Sequence, residues 1–336
     1  MIVPEKNLPK PRLRTVDRDE AGLRLDRWFR RYFPSLTHGQ LQKFLRTGQI
    51  RVDGKRADAG DRLDVGQTIR LPPQVFYREE KTAAGSFGAK PMRNLDRLKE
   101  MILYEDDDVV VLNKPAGLAV QGGTGLRENL DDTLMAFSRD KKTKPKLVHR
   151  LDRDTSGVLL VARTDFAAAK LTAAFRQRET QKIYWAMTVG VPKPQQGCVD
   201  SPLFKRGERM VVAERAVTKK GAKSAVTLYQ VVEAAHKKAA FVALWPITGR
   251  THQLRVHLAH LGTPIFGDKI YGGVPPETLP LKELGAGLHL HARRLIIPHP
   301  RRGVIDIVAP LGREMQKTWQ WFQFDEQAKV EFDVER

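Results

Sequence analysis

Residues 182–189 read KIYWAMTV. Ile183, Trp185, Met187 and Val189 are apolar, whereas Lys182, Tyr184, Ala186 and Thr188 share the opposite face, which is the two-residue period of a strand. Tyr184 is thereby turned away from the apolar side. Further strand candidates follow at 224–233 and 239–245, and from 101 to about 324 strands and helices alternate irregularly. That order predicts an α+β domain on a largely antiparallel mixed sheet, not a doubly wound fold.

Upstream, residues 147–162 (LVHRLDRDTSGVLLVA) set two short apolar strands around a loop dense in charge. A polar loop held between buried strands is where a scaffold presents reactive groups. Composition leaves Asp152 and Asp154 as equal candidates for a reactive carboxylate. Downstream, Thr251 is placed to cap a helix ending at Gly262, with Leu254, Leu258 and Leu261 on its buried side. Arg255 then lies near the positive end of the helix dipole, where a cation gains nothing, so its presence implies another partner.

The N-terminal part has a different texture. Leu25, Trp28, Phe29, Tyr32 and Phe33 recur at helical spacing with Arg24, Arg27, Arg30 and Arg31 between them. Thr37 and Gln40 form a capping box for a second helix that turns Leu41, Phe44 and Leu45 inward, and Gly48 is placed to end it. A strand at 50–52 enters the turn Asp53-Gly54, and 68–71 is a second strand. Pro72-Pro73 closes this module, and 81–94 (KTAAGSFGAKPMRN) has the small, polar, aperiodic character of a linker. The expected division is an arm over 1–14, the helical-hairpin module over 15–72, a linker over 73–100, a catalytic domain over 101–325 and a tail over 326–336.

Fifty-eight Lys and Arg against thirty-nine Asp and Glu leave the 336-residue chain at +19, spread along its length. Phosphate neutralisation and counterion release make a polyanion the economical partner for such a surface. No run approaches the roughly 20 apolar residues that span a bilayer, and no signal peptide is visible, so a soluble cytoplasmic protein without membrane contact is expected. Cys198 is the only cysteine, which excludes an internal disulfide and a cysteine-based zinc knuckle. His252, His257, His260, His289, His291 and His299 lack an HExxH arrangement, so no metal is expected. The stretch 221–224 lacks the glycines of a phosphate loop, and GxSxG and GxGxxG are absent, which sets aside common hydrolase and dehydrogenase readings.

Two resemblances sharpen this reading. Residues 24–56 (RLDRWFRRYFPSLTHGQLQKFLRTGQIRVDGKR) resemble the αL RNA-binding module of the fourth small-subunit ribosomal protein, here S-four-like. The resemblance implies RNA contacts for Thr37, Gln40, Lys43, Arg46, Arg51 and Lys55. HRLDRDTSG at 149–157 is similar to the signature of the RluA/RluC type of pseudouridine synthase, and three more motifs follow that family's order: NKPAG at 113–117, KIYWA at 182–186 and TGRTHQLR at 248–255. The family's catalytic aspartate carries over to Asp152, with Tyr184 as the aromatic over the base and Arg255 as the ion-pair partner of Asp152. Arg150 is expected to fill the space of the flipped nucleotide, and Asn113, Lys114, Arg250, His252 and Gln253 to contact RNA.

The implied activity is isomerisation of uridines in large-subunit ribosomal RNA by a monomer. No cofactor is required, because nothing is oxidised or added overall. The alternatives are a non-catalytic RNA-binding factor in ribosome assembly and a synthase acting on transfer RNA.

Overall fold

The computed structural model describes residues 11–17, 20–33, 36, 38–73, 75, 98–122, 129–138, 143–177, 179–207, 209–213, 221–272 and 283–332. The expected linker 81–94 and the candidate contact Thr37 lie outside them. The chain forms two compact units, Met1–Arg93 and Asn94–Arg336.

In the first unit, helices α1 (Leu25–Tyr32) and α2 (His38–Arg46) accompany a sheet of β1 (Arg12–Thr15), β2 (Arg51–Val52) and β3 (Thr68–Leu71) in the order β1-β3-β2. The helical spacing puts Leu25, Trp28 and Phe29 of α1 into one core with Leu41 and Leu45 of α2 and with Ile50, Ile69 and Leu71. Gly48 leaves α2 at φ +67, and Asp53 and Gly54 both take positive φ, as a tight turn requires. One expectation fails here. Of the arm foreseen over 1–14, residues 12–14 belong to β1, which pairs antiparallel with β3 from Arg12 opposite Leu71 to Thr15 opposite Thr68. Arg14 fixes this edge: its guanidinium meets the buried Glu20 carboxylate at 3.0 Å and lies 3.7 Å from the centre of the Tyr32 ring.

The second unit carries strands β4 (Ile102–Glu105), β5 (Val109–Lys114), β6 (Lys146–Leu147), β7 (Ser156–Ala162), β8 (Gln181–Val189), β9 (Gln196–Asp200), β10 (Leu203–Arg206), β11 (Arg209–Val212), β12 (Val226–Ala235), β13 (Ala239–Pro246), β14 (Leu290–Pro298) and β15 (Val304–Val308). Its labelled helices are α3 (Leu130–Thr133), α4 (Asp165–Gln177), α5 (Gln253–His260) and α6 (Arg313–Phe322). Ten strands make one sheet in the order β4-β5-β7-β14-β8-β13-β12-β9, with β15 on β14 and β6 on β7, while β10 and β11 form a separate ribbon. Pairing is antiparallel throughout the described strands except between β7 and β14, where His291 sits opposite Ser156 and Ala292 opposite Gly157. The α+β expectation with a largely antiparallel sheet holds.

That short parallel seam joins two halves of the sheet. Gly157 adopts φ +108, and a Cβ placed there would lie 2.2 Å from the Ala292 carbonyl oxygen. Only glycine lets the backbones approach so closely. Beside it the buried Ser156 hydroxyl and His291 Nδ1 are 2.8 Å apart, and His291 Nε2 reaches the Ala309 carbonyl at 3.2 Å. Burial pushes the His291 imidazole down to about 4, so it is a neutral strut. His257 and His289 are likewise buried and hydrogen-bonded within the fold.

Strand β8 departs from a half-exposed strand. Ile183, Trp185 and Met187 pack with Phe241 against Met315 and Trp319 of α6, as the alternation predicts. The opposite face is also covered: Ala186 packs with Val242 and Leu244 against Leu254 and Leu258 of α5. A strand buried on both faces hides its alternation in burial while keeping it in chemistry. The domain also runs past both expected ends. Leu98 is buried beside Met101 in the core under β5, and Ala328, Val330 and Phe332 pack on the α6 side of the sheet, with the Phe332 ring centre 5.9 Å from that of Trp245.

Candidate active site

The loop between β6 and β7 carries Asp152, with Leu151 buried beside it as an anchor. His149 braces the loop's start: its Nε2 accepts the Leu160 amide at 2.8 Å, and its ring stacks on Phe175 at 4.7 Å. Burial, and then the charge of Lys182, push this imidazole down to about 3, which keeps the acceptor nitrogen free of a proton.

Lys114 braces the other side. Its ammonium is fully buried and donates to the carbonyls of Pro115, Leu118 and Arg153, each at 2.9 Å. The Gly117 amide donates to the same Arg153 oxygen at 2.9 Å, so the turn after β5 is fastened to the loop holding Asp152. Burial, outweighing the charges of Asp154 and Asp152, pushes the amine down to about 7, and the three carbonyls offer one acceptor to each proton of the ammonium. Lys114→Met is expected to destabilise the domain by about 3 kcal/mol or more, since three buried carbonyls lose their donor. A denaturant midpoint within error of wild type would refute that role.

One cleft of about 620 Å³ is lined by Asp152, Tyr184 and Arg255 together with Arg150, Arg250, His252 and Gln253. Arg176 and Lys182 add positive charge to its wall. Asp152 retains 20% of its side-chain exposure, and its Oδ2 lies 3.9 Å from His252 Nε2. Burial, and then the charge of Asp152, raise the Tyr184 phenol above its ordinary value, so its hydroxyl stays protonated and serves as a donor. Arg150 and Arg250 are exposed, although Arg250 Nε donates to the Ser224 carbonyl at 2.9 Å.

Two expectations are corrected by burial, and a third side chain is partly tied into the fold. Lys114 touches carbonyls rather than RNA, for the reason given above. Gln253 is only 3% exposed, and its amide is consumed by Thr248, Thr227, the Val226 carbonyl and the Arg250 amide. Asn113 is half-buried and donates to the Pro310 carbonyl at 3.0 Å. These side chains build the frame of the cleft. Thr251 does not cap α5 either: the cap position is His252, at φ +54 and without a side-chain capping bond.

The partner of Arg255 is also different. Its Nε and one Nη donate to the two oxygens of Asp268, both at 2.7 Å, and both side chains are nearly inaccessible. Burial would lower the guanidinium, but the bond and charge of Asp268, then the charge of Asp152, raise it overall. Asp152 therefore feels Arg255 as a neighbouring charge rather than as a fork partner. Asp268 and Tyr271 escaped the sequence reading. The available signal was GDKIYG at 267–272, a carboxylate set directly after glycine just beyond the helix.

In the first unit Lys43, Arg46 and Lys55 are exposed and Gln40 is half-buried. Arg51 donates to the carbonyls of Gly48 and Gly54, which ties down the turn before β3.

Comparison with known proteins gives a consistent picture. Residues 108–260 match the family model described as RNA pseudouridylate synthase, and residues 23–69 match the S4 domain. The chain is 36% identical over 306 residues to ribosomal large subunit pseudouridine synthase C of Vibrio vulnificus, covering 91% of this chain and 94% of that one. It is 37% identical over 321 residues to the protein of that name from Escherichia coli K12, covering 93% and 97%. Among solved structures, human RNA pseudouridylate synthase domain containing 4 superposes with a TM-score of 0.58 at 34% identity, over 70% of this chain and 97% of that one.

Proposed function

The chain belongs to the RNA pseudouridylate synthase family, and from that membership we propose that it isomerises uridines of large-subunit ribosomal RNA with Asp152 as the catalytic carboxylate. The observation that carries this reading is the convergence of Asp152, Tyr184 and Arg255 on one cleft rimmed by arginines.

The reaction breaks the bond from N1 of uracil to C1′, turns the base, and joins C5 to C1′; N1 gains a proton and C5 loses one. An ionised carboxylate beneath the ribose can attack C1′, stabilise a developing cation, or take a sugar proton. Each role requires Asp152 charged and held still, which suits a loop pinned by Lys114 and His149 and lying within the field of Arg255. Tyr184 offers a ring to stack on the base and a protonated hydroxyl to bond it. The base must leave its stack first, and Arg150, exposed beside Asp152, is placed to occupy the space it vacates. The exposed Lys43, Arg46 and Lys55 of the S4 domain supply phosphate contacts.

We further infer that it acts as a monomer and in the cytoplasm. Among the described residues no helix is long and apolar enough to cross a membrane. The test is tritium release from ribosomal RNA labelled at uridine C5. Release is expected on a large-subunit RNA; none from it but release from transfer RNA would move the substrate, and none from either would sink the reading.

A further inference from the structure

Tyr271 sits outside the motifs that defined the cleft, three residues after the carboxylate that holds Arg255. Its hydroxyl oxygen lies 2.9 Å from His252 Nδ1 and accepts the Met210 amide at 3.1 Å. An amide can only donate, so it takes one lone pair of the phenol oxygen and leaves the hydroxyl proton available to the imidazole. A histidine that accepts at Nδ1 carries its proton on Nε2. That nitrogen is the one facing Asp152 Oδ2, at 3.9 Å. The opposite tautomer would turn a lone pair toward the carboxylate.

The placement of Tyr271 is itself fixed. Asp268 Oδ1 accepts the amides of Ile270 and Tyr271 at 2.9 and 3.1 Å as well as one arm of Arg255, so a single turn locates both the guanidinium and the phenol. Gly267 allows that turn, at φ +76 and with a hypothetical Cβ 1.8 Å from the Gly287 carbonyl oxygen. The Arg255 guanidinium also lies 5.2 Å from the centre of the Tyr271 ring.

We propose that Tyr271 is a positioning residue for the isomerisation: its hydroxyl selects the His252 tautomer that carries its proton on Nε2, the nitrogen 3.9 Å from Asp152 Oδ2, and so orients the aspartate. This rests on the reading of Asp152 given above. It adds to that reading a run of hydrogen bonds from the Met210 amide through Tyr271 to His252, whose Nε2 lies 3.9 Å from the reacting carboxylate.

The test is a double-mutant cycle on uridine-labelled ribosomal RNA. Tyr271→Phe removes only the hydroxyl and keeps the ring edge-on to His252. Its single-turnover rate is expected to fall about 10- to 100-fold with RNA affinity within about twofold of wild type. In a His252→Ala background the same change should cost nothing more, because the group it acts through is gone. A wild-type rate for Tyr271→Phe, or an equal penalty in both backgrounds, overturns the proposal. Nitrogen-15 spectra of histidine-labelled wild-type protein give a readout independent of activity and of the variant's folding. A proton on Nε2 of His252 supports the proposal, and a proton on Nδ1 overturns it. A wild-type enzyme that releases no tritium would fail the functional reading while leaving the tautomer answer intact.

Discussion

Asp152→Asn is expected to slow pseudouridine formation by on the order of 10⁴-fold, the loss typical of removing a side chain that acts on the reacting atoms. RNA affinity should change by less than about threefold, since phosphate contacts supply most of the binding. The substitution is nearly isosteric, and the loop is held by groups it does not touch: Lys114 Nζ and the Gly117 amide on the Arg153 carbonyl, and the Thr155 amide on the Asp152 carbonyl. What it removes is the negative charge facing His252 and influencing Arg255. Single-turnover kinetics beside filter binding separates the two quantities. A rate within tenfold of wild type would discard Asp152 as the reacting group, and full rescue of a growth defect by Asp152→Asn would favour a role in RNA binding alone.

Gly157→Ala is expected to cost several kcal/mol, about 3–5, and to lower the denaturation midpoint accordingly. Two effects add. The residue must hold φ +108, and the new methyl would lie 2.2 Å from the Ala292 oxygen and 2.7 Å from the Ala292 nitrogen and carbonyl carbon. Ala292 cannot yield cheaply, because these atoms are backbone of β14, itself paired to β8. Gly66→Ala is the control: φ is +85, yet nothing lies within 4 Å, so only the conformational strain of about 1 kcal/mol is expected. Equal losses at the two glycines would show that the close approach at the seam carries no weight.

Local chemistry was legible in the sequence, and long-range partnership was not. The alternation in 182–189 identified β8, and the helical spacing around Trp28 identified α1, because each depends on neighbours within one element. The grouping of Asp152, Tyr184 and Arg255 in one cleft was also anticipated, through motifs rather than through physics. Lys114 was misassigned because a lysine in a turn is ordinarily solvated; its burial depends on a carbonyl 39 positions away. Gln253 was misassigned for a similar reason, since its partners Val226 and Thr227 lie on a strand before it in the chain. The strand Arg12–Thr15 has a charged, irregular pattern and is ordered by β3 and by Tyr32, neither of which composition could reveal. The switch of Arg255 from Asp152 to Asp268 follows from geometry alone, as the nearer carboxylate presents both oxygens to the guanidinium.

The saturated ammonium of Lys114 divides the labour of the cleft. With all three protons committed inside the protein, that side chain has nothing left to offer a phosphate, and mobile ions cannot easily reach it. On the proposed function, grip on the polyanion would fall to exposed cations, the arginines at the rim and Lys43, Arg46 and Lys55, which dissolved salt screens readily. Ionic strength is then expected to tune how long the transcript stays, while the shape of the reacting loop is insulated from it.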